Sequence, residues 1–162
     1  MSHPEKQLKD HWEHQSIKIT LGVKEEQIKN FESKYGMFLP TDVRNYFLCM
    51  NGMGTYWPND RDREGFSFWP LERVKAVGDE LENLQTELLA PQEARTCFLF
   101  ADYLDWSWAY AMRLSESYRD PSPVILVGME TLIQVADSFT EFVGLYVMDS
   151  PKLYGDLTAY GC

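Results

Sequence analysis

Apolar side chains recur every three or four residues in four parts of the chain, which is the spacing of one face of an α-helix. Ser138 is followed three residues later by Glu141, a capping-box pattern that marks the start of a helix. The first 18 residues are charged and weakly patterned, so they predict either a short helix or a frayed end. The four predicted helices cover residues 24–35, 41–50, 71–88 and 138–148.

Shorter apolar runs, rich in β-branched and aromatic residues, predict strands. Helices come first, strands cluster in the middle and a helix follows, an order that predicts an α+β fold. We expect one domain over residues 1–162, with a central twisted, mostly antiparallel sheet flanked by helices, because no repeat or linker divides the chain. The predicted strands are Phe66–Trp69, Thr96–Asp102, Trp106–Leu114 and a hairpin of Val124–Val127 with Leu132–Ala136.

The stretch "YGMFLPTDVRNYFLCMNGM", residues 35–53, predicts two helices joined by a tight corner. Gly36 can supply the left-handed conformation that ends the first helix. Proline is accepted in a first turn, as at Pro40, and Thr41 or Asp42 can cap the second helix. The final Asn-Gly pair ends that helix. These start and stop signals account for the whole segment without any catalytic residue.

Acidic residues outnumber basic ones by 25 to 15, which gives a formal net charge of −10. Contacts with phosphate groups need Lys and Arg, so we expect neither nucleic acid nor an anionic membrane surface as a partner. A basic protein would be steered toward an acidic surface, although net charge also serves simply to keep a protein soluble. No apolar run approaches the ~18 residues of a membrane span.

The cysteines and the N-terminal stretch indicate the compartment. Cys49, Cys97 and Cys162 are odd in number and widely spaced, and no C-x-x-C pair is present. The first 15 residues are polar and lack the apolar core of a signal peptide. We therefore expect a cytoplasmic protein with reduced thiols and no cofactor.

Two stretches have part of the pattern of a metal site. The residues "DRDREG" (60–65) have the first offsets of an EF-hand loop, but Leu71 stands where a bidentate Glu is required. His11 and His14 would share one face of a helix, but zinc needs three or four ligands held by packed surroundings. We therefore predict a solvated acidic loop and no metal site.

The sequence has no G-x-S-x-G elbow, Walker loop or G-x-G-x-x-G motif. All three histidines lie within the first 14 residues, so a nucleophile–His pair would need that terminus folded across a cleft. Cys97 lies in an apolar strand and is more typical of a small core residue. Asp102 and Asp105 flank a strand-to-strand turn, where Asp is ordinary. An unrecognised hydrolase is the weakest of the functional alternatives.

The stretch "ADYLDWSWAY", residues 101–110, has the mixture of aromatic and acidic residues found in interface hot spots. In a strand, Trp106, Trp108 and Tyr110 would share one face and the small residues the other. Periodicity alone leaves open which of the two faces packs into the core. The loop 57–64 has a similar mixture. The predicted partner-binding residues are Trp57, Asp60, Asp62, Glu64, Asp102, Asp105, Trp106, Trp108 and Tyr110.

Four stretches, in this order, resemble the SUKH superfamily, which contains the yeast cell-wall-assembly regulator family and many bacterial toxin-immunity proteins. "FESKYGMFLPTDVRNYFLCMNGM" is similar to its helix, Leu-Pro corner, helix and Asn-Gly. "FSFWPLERVKAV" resembles its strand leading into a Leu-x-x-Val helix, "CFLFADYLDWSWAYAM" its central hairpin, and "IQVADSFTEFVGLYV" its closing strand and helix. Together they cover about residues 24–148. Family members often have a Gly after the Asp of the hairpin turn, where this chain has "LDWSW".

The resemblance implies an α+β fold with flanking helices and a non-enzymatic role in protein binding. In bacteria this role is most often the binding and neutralisation of a toxin. We therefore expect an immunity protein that binds a basic toxin domain, as a monomer or weak dimer. An intracellular regulatory or scaffold protein of the same fold is the alternative. The resemblance supplies no catalytic residues, because the motif of the superfamily is structural.

Overall fold

The computed structural model of the protein describes residues 3–80, 91–128 and 132–154. Within these ranges the helices are α1 (Pro4–His14), α2 (Glu25–Tyr35), α3 (Thr41–Cys49), α4 (Pro91–Thr96) and α5 (Phe139–Val147). The strands are β1 (Phe66–Phe68), β2 (Lys75–Ala76), β3 (Cys97–Tyr103), β4 (Trp108–Arg113), β5 (Val124–Val127) and β6 (Leu132–Ala136). Short 3-10 turns cover Leu71–Arg73, Val77–Glu80 and Pro151–Tyr154.

The strands form one antiparallel sheet in the order β1-β3-β4-β5-β6, and β2 pairs with β3 further along the same edge as β1. β3 and β4 lie at the centre and form a hairpin, as do β5 and β6. The α+β prediction with a mostly antiparallel central sheet is therefore confirmed. All five predicted strand regions contain a strand, and the turn of the β5–β6 hairpin lies outside the described residues.

One face of the sheet packs against α1, α2, α3 and α5 and forms the main core. Large aromatic side chains fill this layer. Their rings pack against one another at centroid distances of 4.6 to 6.4 Å, and several of these contacts link the sheet to the helices. The opposite face has a smaller apolar cluster around Trp69, Leu99 and Ile125. The helices α1, α2, α3 and α5 thus lie on the same side of the sheet.

The single helix predicted for residues 71–88 is wrong over its described part. Residues 71–80 form two 3-10 turns separated by β2, and residues 81–88 lie outside the described residues. Ala76 packs into the helix-side core and Val77 into the opposite cluster, so the segment supplies apolar groups to both faces of the sheet. Pairing with β3 has overridden the local helical period.

The corner between α2 and α3 is built as predicted at Gly36, which has a left-handed φ of 67°. The predicted cap is wrong, because α3 begins after Pro40 without a side-chain cap. The Asp42 carboxylate accepts a hydrogen bond from the Val43 N–H. It accepts two more from the N–H and the hydroxyl of Thr140, at the start of α5. Asp42 therefore joins α3 to α5 and supplies an acceptor for a backbone N–H in the first turn of α5.

The N-terminal stretch forms a helix, α1, and does not fray over its described residues. Leu8 and Trp12 are fully buried in the helix-side core. The Trp12 ring packs edge-on against Phe68 at 5.2 Å between centroids. A sparse pattern with two large apolar residues one turn apart was thus sufficient for a docked helix.

β3 carries a bulge at Phe100, where its register against β4 shifts by one residue. Phe98 and Phe100 both lie in the helix-side core. Strict alternation would place Asp102 on that same face. The extra residue turns Asp102 to the opposite face, where its carboxylate meets Trp69.

The N-cap of α5 is the predicted one, since Ser138 Oγ accepts a hydrogen bond from the Glu141 N–H at 3.0 Å. We expect Ser138→Ala to lower the free energy of unfolding by about 1 kcal/mol. Urea denaturation measures this loss, and Ser33→Ala, an exposed position inside α2, is the control. Equal midpoints for Ser138→Ala and the unchanged protein would contradict the capping role.

Among the described residues, no helix combines the length and apolar character needed to cross a membrane.

Candidate functional site

A loop between α3 and β1 presents two large aromatic side chains to solvent. In this 54–65 loop, Tyr56 is 83 % exposed and Trp57 is 76 % exposed. The pair comes three residues after Met53, the end of a buried segment, whose N–H donates to the Phe68 carbonyl. An exposed pair of aromatics on a loop is unusual, because most such side chains are at least half buried. The pair is therefore a candidate contact with a partner.

Asp62 anchors the 54–65 loop from beneath and is only 6 % exposed. Its Oδ1 accepts hydrogen bonds from the backbone N–H groups of Glu64, Gly65 and Phe66 at 3.0, 2.8 and 2.8 Å. Its Oδ2 accepts a hydrogen bond from the Tyr146 hydroxyl at 2.5 Å. One carboxylate with four donors fixes the path of the loop.

Hydrogen bonds connect Asp62 to Tyr146 of α5 and, through it, to Trp12 of α1. Burial raises the pKa of the Asp62 carboxyl, while the hydrogen bonds from Tyr146 and the Phe66 N–H oppose that rise. Burial and the nearby Asp62 charge hold the pKa of Tyr146 well above its usual range, so Tyr146 stays a protonated donor. The Tyr146 hydroxyl in turn accepts a hydrogen bond from Trp12 Nε1 at 2.9 Å. The loop is therefore tied to two helices by one chain of hydrogen bonds.

The turn between β3 and β4 lies beside this loop and is strained. Leu104, Asp105 and Trp106 have φ values of 49°, 51° and 73°, a region that costs non-glycine residues roughly 1–2 kcal/mol each. The Arg61 guanidinium meets both carboxylate oxygens of Asp105, at 2.9 and 3.2 Å. The Leu104 N–H donates to the Gly65 carbonyl at 3.0 Å. These contacts hold the strained turn against the loop.

Trp106 belongs to this turn and not to β4, and its ring packs on Trp69 at 5.0 Å between centroids. Trp69 Nε1 donates to Asp102 Oδ2 at 2.7 Å, and the Arg73 guanidinium lies 3.9 Å from the Trp69 ring centre. Burial raises the pKa of the Asp102 carboxyl, against the Trp69 hydrogen bond and the Arg73 charge. Asp102 therefore orients Trp69, and Trp69 supports Trp106.

The two possible orientations of β4 are resolved by its packing. Tyr110 is fully buried in the helix-side core, and its hydroxyl donates to the Leu153 carbonyl at 2.6 Å. Trp108 lies on the same face, half-buried, stacked on Tyr103 and donating through Nε1 to the Tyr110 hydroxyl at 3.0 Å. The small residues Ala109 and Ala111 lie in the opposite cluster. The large aromatic face of β4 is thus the core face.

The predicted site residues consequently fall into two sets. Asp62, Asp102 and Tyr110 are buried, so they support the site from beneath and present no surface for a partner in this structure. The sequence reasoning missed Tyr56 and Leu104, which are 83 % and 51 % exposed. Tyr56 could have been found from its place beside Trp57. The exposed or half-exposed predicted residues are Trp57, Asp60, Glu64, Asp105, Trp106 and Trp108.

We define the loop–turn surface as the accessible residues of the 54–65 loop and of the turn 104–107. The charges on this surface nearly cancel, because Asp62 is buried and two arginines offset the accessible carboxylates. Its carboxylates are those of Asp60, Glu64 and Asp105, and its guanidinium groups are those of Arg61 and Arg63. The negative charge of the protein therefore lies mostly outside this surface.

The candidate metal and nucleophile positions have structural partners. In the described part of the chain, no group of three or more His, Cys, Asp or Glu residues could hold a metal ion. The loop with partial EF-hand spacing is organised around Asp62, whose oxygens are taken by protein donors. His11 Nε2 lies 3.0 Å from Gln15 Nε2, and His14 Nδ1 lies 3.1 Å from the Asp10 carbonyl. Burial raises the pKa of the Cys97 thiol, which disfavours the nucleophilic thiolate.

The chain matches a known protein family. A sequence profile of the SMI1/KNR4 family (SUKH-1) matches residues 22–144, which include the helical corner, the sheet and the loop–turn surface. Among curated proteins, no relative matches the chain.

Proposed function

The chain belongs to the SMI1/KNR4 family (SUKH-1), and on this premise we propose that it is a protein-binding module that neutralises a toxin domain in the cytoplasm. The family is generally non-catalytic, and its members often act in toxin immunity or as regulators. The observation that carries the proposal is the exposed aromatic pair Tyr56–Trp57 on an anchored loop.

The anchoring of the loop supports a role in recognition. A loop that must be ordered on binding loses affinity, whereas one that is already fixed avoids that cost. Asp62 fixes the 54–65 loop from inside, and Arg61 ties it to the turn through Asp105. Rigid exposed aromatics offer a large contact area at low entropy cost, as hot-spot residues do.

The charge of the protein supports a basic partner. The formal net charge is −10, and a field of this sign accelerates association with a positively charged domain. The near-neutral loop–turn surface then carries little of this charge into the contact itself. The charge of the whole protein thus steers the partner, and the aromatic pair makes the contact. In this binding role the chain acts as a monomer or weak dimer.

The test uses a toxin domain encoded beside the gene of this protein. Co-expression of the two is expected to restore growth of a bacterial host, and the purified proteins are expected to form a complex. A regulatory or scaffold role is favoured instead if no toxin gene is adjacent and the protein binds an endogenous cellular protein. Growth arrest that persists although both proteins are produced would refute immunity toward that domain.

Trp57→Ala is expected to weaken binding of that toxin domain by roughly thirtyfold, because truncating a hot-spot aromatic typically costs about 2 kcal/mol. The melting temperature should stay unchanged, since Trp57 is 76 % exposed. Titration calorimetry measures the affinity and a thermal melt on the same sample measures stability.

Tyr118→Ala is the matched control, because Tyr118 is a half-exposed aromatic that lines a different cleft with Phe38 and Arg44. It should leave the affinity within twofold of the unchanged protein. A thirtyfold loss for Tyr118→Ala with none for Trp57→Ala would move the binding site to that cleft.

A further inference from the structure

The N-terminal segment 4–18 precedes the matched region, yet it contacts the 54–65 loop at two places and reaches it at a third through Tyr146. Trp12 reaches Asp62 through the Tyr146 hydroxyl, at 2.9 and 2.5 Å. Gln15 Oε1 accepts a hydrogen bond from the Arg63 N–H at 2.8 Å. The Lys18 N–H lies 3.5 Å from the side-chain oxygen of Asn59. The segment therefore lies against residues 59–63 of the loop.

The segment can act as a brace because it is itself firmly held. Leu8 and Trp12 are completely buried, and α1 packs against α5 and α3. Trp12 thus belongs to the core while its indole N–H faces the hydrogen-bond chain to Asp62. A displacement of α1 would remove the donor at one end of that chain.

Gln15 connects α1 to the loop through an oriented amide. Its Nε2 lies 3.0 Å from His11 Nε2, and the His11 ring packs edge-on against Tyr146 at 5.1 Å between centroids. With the amide nitrogen directed at His11, the amide oxygen points to the Arg63 N–H. The contact therefore requires His11 Nε2 to accept the hydrogen bond.

We propose that segment 4–18 is a positioning element that sets the conformation of the 54–65 loop and thereby determines which partner the loop accepts. The effect on partner choice rests on the proposed function, whereas the effect on loop conformation does not. The element lies outside the matched region, so it can differ between proteins that share the matched fold. In this protein, specificity would then reside partly in Trp12 and Gln15, which touch no partner themselves.

The test is amide hydrogen exchange by NMR on the full chain, which needs no partner. Gln15→Ala removes the acceptor of the Arg63 N–H, and Trp12→Phe removes the indole donor while keeping an aromatic ring. Both should speed exchange at Arg63, Gly65 and Phe66 about fivefold, the effect of losing one hydrogen bond. Tryptic cleavage after Arg63 should accelerate by a similar factor.

Matched variants separate bracing from general destabilisation. Glu13→Ala, at an exposed position on α1, should leave loop exchange unchanged, and Gln15→Glu should restore protection because it keeps an oxygen acceptor. Amides of Ala111 and Leu126 in the central strands should keep their rates in Gln15→Ala. Unchanged loop exchange in Gln15→Ala, or equal acceleration in the central strands, would overturn the proposal. Loss of toxin binding is a separate readout, so failure of the proposed function leaves this result standing.

Discussion

Replacing Gly52 by alanine is expected to lower the free energy of unfolding by about 4 kcal/mol. Gly52 follows α3 with a φ of 70°, and an added Cβ would lie 2.6 Å from the Trp69 carbonyl oxygen and 2.7 Å from that of Phe68. Both oxygens belong to backbone held by the sheet, since the Trp69 N–H donates to the Phe100 carbonyl. The contact therefore cannot relax by a side-chain rotation. Chemical denaturation measures the loss.

Gly36→Ala is the matched control for this substitution. Gly36 has nearly the same φ, 67°, but an added Cβ would meet nothing within 4 Å. It should cost only the left-handed backbone term, about 1 kcal/mol. The difference between the two variants isolates the crowding at Gly52. Equal losses would show that the close approach of the two carbonyl groups is not as tight as in this structure.

The helices α2, α3 and α5 and the strand regions could be predicted because their signals are local. Each helix has an apolar face and a start or stop residue within its own sequence, such as Gly36 after α2 or Ser138 before α5. The segment 71–80 could not be predicted, because β2 owes its form to pairing with Leu99 and Phe98. A local helical period carries no information about that partner.

The sequence could predict which two segments form the candidate site, but not which of their side chains are exposed. Aromatic and acidic residues identified the two segments, but burial decided which of them can meet a partner. Asp62 and Tyr146 are 84 residues apart, and their hydrogen bond makes Asp62 a support where the spacing had suggested a solvated loop. A single bulge at Phe100 placed Asp102 under Trp69. Such nonlocal contacts leave no mark in the spacing of the residues.

Replacing Asp62 by alanine is expected to lower the free energy of unfolding by about 3 kcal/mol, because four donors lose their acceptor and two of them are buried. The buried donors are the Phe66 N–H and the Tyr146 hydroxyl. Urea denaturation measures this loss. Asp60→Ala is the control from the same loop. The Asp60 side chain is 25 % exposed and lies 3.7 Å from Arg61, so its loss should cost under about 0.5 kcal/mol. A similar small loss for Asp62→Ala would contradict its role as the anchor.

Asp62→Asn separates the acceptor from the charge, because asparagine keeps an oxygen for the three backbone N–H groups and does not titrate. Burial raises the pKa of Asp62 in the folded protein, so the folded state binds this proton more tightly than the unfolded chain does. The carboxyl therefore favours folding most below its unfolded pKa, and that contribution is lost as the pH rises through the folded value. The stability of Asp62→Asn relative to the unchanged protein should thus improve between about pH 3 and pH 7. A relative stability that worsens over this range would show that the four hydrogen bonds outweigh burial and lower the pKa of Asp62.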